Sequence, residues 1–284
     1  MRLATIRITG GTQAARVEGD SLVPLAALDV GDLLGRPDWE AVAAVEAGPP
    51  MLASHTELAP VIPRPAKVVC VGLNYRTHIL EMGETLPEYP TLFTKFASSL
   101  IGPHDDLVLP RVSVAVDWEA ELGVIIGRRL RRGSAEEALA AIAGYTVVND
   151  ISMRDWQSRT SQWFQGKAFE ACTPVGPYLV TPDEIDHARD LEVRCEVNGD
   201  LRQHANTSDL VFGPADVVSY ISQFTTLEPG DLIATGTPAG VGAARRPQVF
   251  LAADQVLRTS IEGIGECINT CREERGYQAL REGN

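Results

Sequence analysis

The sequence predicts a globular protein that contains both strands and helices, with a small N-terminal part ahead of a larger domain. Short apolar, β-branched runs at residues 67–71 (KVVCV) and 144–150 (GYTVVND) are typical of buried strands. Helical spacing at residues 37–47 and 214–225 indicates short helices between them. A segment with three prolines, residues 59–65, suits an extended linker between the two parts. We therefore expect domains at 1–62 and 63–284.

The overall charge disfavours two classes of partner. The 284 residues carry a formal net charge of −13, with 44% hydrophobic and 22% charged residues, which is ordinary for a globular protein. Nucleic acids and anionic membranes require a basic surface, so neither is expected as a partner. A small anionic substrate stays possible, because a metal and a few cations can reverse the field inside one pocket.

Neither a secretory signal peptide nor a membrane span is expected. Residues 1–10 alternate like a strand and lack the apolar core of a signal peptide, and no run approaches 18 apolar residues. The five cysteines are an odd number and form no CxxC pair. They are interpreted as reduced, mostly buried thiols, which favours a cytoplasmic protein.

Residues 114–126 (VAVDWEAELGVII) are the most informative stretch. This apolar run predicts a buried strand, yet Asp117, Glu119 and Glu121 occupy alternate positions and would share one face. Three adjacent carboxylates in an apolar strand repel one another unless a cation or a proton compensates. The alternative is an edge strand whose acidic face lies in water.

A second acidic position favours the metal interpretation. The strand predicted at 144–150 ends in Asn149 and Asp150, so a neighbouring strand can add oxygen ligands. A hard ion such as Mg²⁺ takes carboxylate ligands and keeps water molecules that a substrate can displace.

Two other motifs could supply acid-base chemistry. His78 and Glu81 are three residues apart, so on a helical turn they face the same side, and a carboxylate can orient an imidazole as a general base. Lys167 lies in an otherwise apolar segment and either extends to solvent or places a positive charge in the acidic pocket. Taken alone, the histidine pair is explained more simply by a surface helix that carries the two residues incidentally.

These motifs, taken in order, closely resemble the fumarylacetoacetate hydrolase family. The motifs are GLNYRTHILE, SSLIGP, DWEAELGVIIG, VVNDISMRDWQ, GKAFEACTPVGP, NTSDLVF, LEPGDLIATGTPAGVG and IEGIGE. The resemblance covers about residues 67–266. It departs slightly at Phe96, where the family commonly has proline.

The resemblance implies a β-rich α+β fold with a mixed β-sandwich or roll as catalytic domain, usually in a homodimer. It also implies Mg²⁺ or Mn²⁺ held by three carboxylates. Asp117 is then expected either to lie next to the metal ligands without binding the metal or to face solvent. Carried over by position, the residues fall into three groups: metal ligands Glu119, Glu121 and Asp150, catalytic residues His78, Glu81 and Lys167, and substrate-binding residues Arg76, Gln157 and Thr237.

The expected activity is hydrolysis of a C–C bond in a diketo acid such as an acylpyruvate, through an enolate that the metal stabilises. The alternatives are decarboxylation of oxaloacetate or another 2-oxo acid, and isomerisation of the hydroxymuconate type, because these reactions share the enolate step. A binding protein that has lost activity is a further alternative, which the intact set of carboxylates disfavours.

Overall fold

The computed structural model describes residues 1–81 and 83–274, apart from the side chain of Glu81. Strands dominate the described residues, as the β-rich α+β prediction requires. The strands are β1 (Arg2–Ile8), β2 (Gly11–Glu18), β3 (Ser21–Pro24), β4 (Met51–Leu52), β5 (Val68–Gly72), β6 (Thr91–Lys95), β7 (Leu100–Ile101), β8 (Leu107–Leu109), β9 (Val116–Asp117), β10 (Ala120–Ile126), β11 (Ile142–Asn149), β12 (Ser152–Met153), β13 (Thr173–Val180), β14 (Glu192–Val197), β15 (Asp200–Asn206), β16 (Leu232–Ala234), β17 (Val256–Ile261) and β18 (Gly265–Glu273).

Short helices connect these strands. They are α1 (Val30–Leu34), α2 (Trp39–Ala43), α3 (Arg76–Glu81), α4 (Ala135–Ala141), α5 (Arg154–Gln157), α6 (Phe164–Lys167) and α7 (Pro214–Phe224). Helix α4 begins after Ser134, whose side chain accepts a hydrogen bond from the Glu137 N–H in a capping box, as the sequence predicts. Among residues 1–81 and 83–274, no helix is long and apolar enough to cross a membrane.

Two mixed sheets form the body of the molecule. The larger has the order β4-β3-β2-β1-β13-β11-β10-β16-β5-β6, with β7 paired to β13, and the smaller has the order β15-β14-β17-β18-β8. Strands β10 and β11 of the larger sheet pack against β14 and β17 of the smaller. Their inward side chains, including Leu122, Val147, Val193 and Leu257, form one buried core. Burial of each such side chain contributes about 1.5–3 kcal/mol, so this core anchors β10 and β11.

The N-terminal strands extend the larger sheet. Strand β1 pairs antiparallel with β13, with Arg2 opposite Val180 and Leu3 opposite Leu179. Strands β1 and β2 form the hairpin that the sequence predicts, and Gly10 at its turn has a φ of +90°, which favours glycine. The division into domains at 1–62 and 63–284 stays a prediction.

Candidate metal and substrate site

The acidic stretch folds as two strands rather than one. Strand β9 ends at Asp117 and pairs with β12, whereas β10 begins at Ala120 and pairs with β11 and β16. Between them, the Trp118 N–H donates to the Asp117 side chain, and the Glu119 N–H donates to the Asn149 side chain at 2.8 Å. These side-chain acceptors replace regular strand pairing. The prediction of one continuous strand is therefore wrong at this point.

The break separates Asp117 from the other two acids. Asp117 is fully buried, so the prediction that it could face solvent is also wrong. Its carboxylate accepts hydrogen bonds from the N–H groups of Gly242 and Ala243 at 2.7 and 2.9 Å, and from the Arg154 Nε at 2.8 Å. Asp117 thereby links the glycine-rich loop at residues 236–243 to Arg154, whose guanidinium also contacts Glu119.

Strand pairing brings three carboxylates together. Ala120 lies opposite Asn149 in the β10–β11 pair, and the Asp150 N–H donates to the Glu119 carbonyl at 2.8 Å. Glu119, Glu121 and Asp150 are buried, and each offers an oxygen within 4.8 Å of the others. Buried carboxylate oxygens at this spacing fit a hard divalent cation. The three predicted ligands therefore form one cluster, which could hold a metal.

Two buried lysines face this cluster. The Lys167 Nζ contacts Glu119 and lies 2.8 Å from the Asp150 Oδ2, while the Lys95 Nζ lies 2.7 Å from the Asp150 Oδ1. Burial raises the pKa of the Asp150 carboxyl, but the two lysines outweigh it and hold that pKa below its usual range. Lys167 thus points into the acidic pocket rather than to solvent.

Glu121 has a different environment from its two neighbours. Among the described residues, no lysine or arginine lies within ion-pair distance of it, and its Oε2 accepts a hydrogen bond from the Gly236 N–H at 2.8 Å. Burial, followed by the charges of Asp150 and Glu119, raises the pKa of the Glu121 carboxyl well above its usual range. A cation bound by the cluster would relieve this repulsion.

Arg154 belongs to the site, although we did not predict it from the sequence. Its Nη2 lies 2.7 Å from the Glu119 Oε1, and its Nη1 donates to the Gln157 Oε1 at 2.9 Å. Burial lowers the pKa of its guanidinium, but Glu119 and Asp117 outweigh this effect and raise it. The spacing to Gln157 is the signal that could have identified Arg154, because residues three apart on a helix share a face.

A cavity of 180 Å³ connects most of the predicted residues. Two contacts fix side chains of its wall: the Lys167 Nζ lies 4.9 Å from the centre of the Phe93 ring, and the Thr237 hydroxyl accepts a hydrogen bond from the buried Gln203 side chain at 2.7 Å. The cavity is lined by His78, Glu119, Glu121, Arg154, Gln157, Lys167 and Thr237, together with Val71, Gly72, Leu73, Phe93, Trp163 and Val241.

The structure does not establish the roles of two predicted residues. Arg76 is exposed on α3 and is not among the described residues that line the cavity, so its substrate-binding role stays a prediction. Glu81 ends α3 one turn after His78, but its side chain lies outside the described part of the structure. The predicted histidine–glutamate pair is therefore also untested.

Comparison with known proteins places the chain in a family of enzymes. Residues 67–272 match the family model for the C-terminal region of fumarylacetoacetate hydrolase. The chain belongs to the fumarylacetoacetate hydrolase family, and the predicted family and β-rich fold are confirmed. The protein is accordingly an enzyme of this family that acts on small molecules.

Individual relatives carry different activities in their names. The human oxaloacetate tautomerase FAHD2A, mitochondrial, is 48% identical over 216 residues, which are 75% of this chain and 68% of that protein. Among solved structures, fumarylacetoacetate hydrolase from Exiguobacterium antarcticum is 32% identical, with a TM-score of 0.86 over 96% of this chain and all of that one. Maleylpyruvate hydrolase from Sphingobium.sp SYK-6 is 30% identical, with a TM-score of 0.80 over 96% of this chain and all of that one.

Proposed function

We propose that this enzyme interconverts the keto and enol forms of oxaloacetate or a closely related 2-oxo diacid, with Mg²⁺ or Mn²⁺ as its cofactor. The buried cluster of Glu119, Glu121 and Asp150 beside a small cavity carries the proposal, because an enolising enzyme must stabilise negative charge on its substrate. The similarity to oxaloacetate tautomerase supports the choice of reaction. A cytoplasmic location and a homodimer stay predictions, and several relatives are named mitochondrial.

The charges around the cavity suit a metal ion and an anionic substrate together. The three clustered carboxylates and Asp117 face three cations, namely Arg154, Lys95 and Lys167. The formal charges of these seven side chains sum to −1. A divalent ion held by Glu119, Glu121 and Asp150 would therefore make the site net positive. When bound, such an ion supplies positive charge that stabilises negative charge on substrate oxygens.

Side chains of the cavity would bind the substrate and transfer its proton. Lys167 and Arg154 lie in the cavity wall, where they would bind a carboxylate or an enolate oxygen of the substrate. His78 faces the same cavity and would carry a proton between carbon 3 and the oxygen on carbon 2 of the substrate, from carbon to oxygen for enolisation and from oxygen to carbon for ketonisation. The Thr237 hydroxyl accepts a hydrogen bond from Gln203 and donates one to the Ala120 carbonyl at 3.0 Å, so its remaining lone pair would accept a hydrogen bond from a substrate hydroxyl.

Hydrolysis of a diketo acid is the second candidate function. It is favoured by the likeness to maleylpyruvate hydrolase and by the position of His78, which could activate a water molecule instead of taking a carbon-bound proton. Decarboxylation of oxaloacetate uses the same charged groups without a water molecule.

One experiment separates these reactions. The protein is stripped with EDTA, loaded with Mg²⁺ or Mn²⁺, and given enol-oxaloacetate and acetylpyruvate in parallel. We expect the ultraviolet absorbance of the enol to decay faster than with metal alone, with no pyruvate formed, and EDTA to abolish this effect. Pyruvate and CO₂ from oxaloacetate would instead identify a decarboxylase. Acetate and pyruvate from acetylpyruvate, without accelerated ketonisation, would identify a hydrolase.

Replacement of the proposed base should separate turnover from metal binding. Among the described residues that line the cavity, His78 is the one imidazole, and general-base catalysis contributes about 10²–10⁴-fold to a rate. We expect His78→Asn to lower kcat by about this factor, with Mg²⁺ affinity in calorimetry unchanged. The control is His55→Asn, which alters an exposed histidine of the N-terminal region. A variant at His78 with normal kcat would exclude it as the base.

A further inference from the structure

The cavity beside the carboxylate cluster has an apolar part of its wall that the proposed reaction does not use. Val71, Leu73, Phe93, Trp163 and Val241 line it alongside the charged residues. Its volume of 180 Å³ is below the range of about 300–1,000 Å³ that is usual for pockets enclosing drug-sized ligands. The cavity therefore suits a small acid, and its apolar residues can decide how large that acid is.

Trp163 has the largest side chain of this apolar wall, and two contacts hold its ring. The indole packs edge-to-face against the Phe93 ring, with the two centroids 5.6 Å apart and the planes at 67°. It also lies against the backbone of Gly72, where an added Cβ atom would come within 2.3 Å of the indole. The indole thus fills the space that a side chain at position 72 would need, and it forms a fixed surface of the cavity.

Trp163 and Lys167 belong to the same helical turn. Trp163 immediately precedes α6, which Lys167 ends, and the Gly166 N–H donates to the Trp163 carbonyl at 2.9 Å. Residues four apart on a helix share a face and are separated by about 6 Å along its axis. The Lys167 Nζ lies 2.8 Å from the Asp150 Oδ2. The indole therefore stands one turn away from the charges that would hold a 2-oxo acid group.

We propose that the Trp163 indole limits the size of the substrate, so that the enzyme accepts short 2-oxo acids and rejects those with a ring on carbon 3. This inference rests on the proposed function, which places the 2-oxo acid group at Glu119, Glu121 and Asp150. A bulky group on carbon 3 would have to displace the indole from its contacts with Phe93 and Gly72, and such a clash discriminates between ligands that share the same anionic group.

Two matched ligands test this limit. Pyruvate and phenylpyruvate share the 2-oxo acid group, and phenylpyruvate adds a benzene ring on carbon 3. In calorimetry with the Mg²⁺-loaded full chain, we expect phenylpyruvate to bind at least about tenfold more weakly than pyruvate. Trp163→Ala should strengthen phenylpyruvate binding at least about tenfold and change pyruvate binding less than about threefold, because apolar space left by a removed side chain accepts a benzene ring.

The matched control is Trp39→Ala. Trp39 is a partly buried tryptophan that packs against the core of the N-terminal region and does not line this cavity among the residues that the structure describes. Its replacement should change neither affinity. The inference would be overturned if the wild-type protein bound phenylpyruvate as tightly as pyruvate, or if Trp163→Ala kept the wild-type preference.

A second pair of variants tests whether the indole is fixed in place. Gly72→Ala should lower the melting temperature of the wild-type protein, because the new Cβ atom meets the Trp163 ring. In the Trp163→Ala background the same change should be tolerated. Equal losses in both backgrounds would show that the indole is not held against Gly72, which would also overturn the inference.

Failure of the proposed function has a different result. Calorimetry needs no turnover, so a failure to tautomerise oxaloacetate would refute the proposed reaction while the size limit is still measured with pyruvate and phenylpyruvate. Absence of pyruvate binding by the wild-type protein would overturn both proposals.

Discussion

Glu121→Gln is expected to lower metal-dependent turnover by at least about 10³-fold while making the metal-free protein more stable. Glutamine can keep the hydrogen bond from the Gly236 N–H, but it cannot supply the negative ligand oxygen. In the metal-free protein, Glu121 is buried beside Asp150 and Glu119, so loss of its charge relieves repulsion. We expect the melting temperature in EDTA to rise by about 2–4 °C, which corresponds to about 1 kcal/mol.

Turnover with saturating Mg²⁺ and thermal unfolding in EDTA together test this prediction. Glu228→Gln is the control, because Glu228 forms an exposed ion pair with Arg129 and should change neither quantity appreciably. If Glu121→Gln kept normal turnover, Glu121 would not be a metal ligand. If it lowered the melting temperature in EDTA, repulsion within the cluster would not be the dominant local energy.

Asp150→Asn should have the opposite effect on stability. The Asp150 carboxylate is the shared partner of Lys95 and Lys167, and both lysines are buried. Asparagine keeps a neutral acceptor oxygen but removes the negative charge that pairs with Lys95, whose other contact is the neutral carbonyl of Ile151 at 3.1 Å. Breaking a buried ion pair by removal of one partner costs about 3–5 kcal/mol. We therefore expect the melting temperature in EDTA to fall by about 10 °C, with turnover lost as well.

Two further variants make this result specific. Asp254→Asn removes an exposed partner of Arg272 and should cost less than about 1 kcal/mol. In the Asp150→Asn background, Lys95→Met should recover part of the lost stability, because it removes the uncompensated charge. A change below about 1 kcal/mol for Asp150→Asn would show that water compensates the lysines.

Local pattern accounts for most elements of the fold and for the carboxylates. The hairpin at Gly10, the capped helix after Ser134 and helix α7 all follow rules that operate within a few residues. Glu119, Glu121 and Asp150 were recognisable because acids in apolar, β-branched runs are costly without a compensating charge.

The sequence by itself determined the family, the acidic cluster and the approximate positions of the strands, because apolar periodicity and turn residues act locally. Tertiary structure alone decided the separation of Asp117 from the cluster, which depends on Asn149 and on the loop at Gly242. It also decided that Arg154 and both lysines meet the cluster. Such contacts join residues far apart in the chain, so only the packing of the two sheets brings them together.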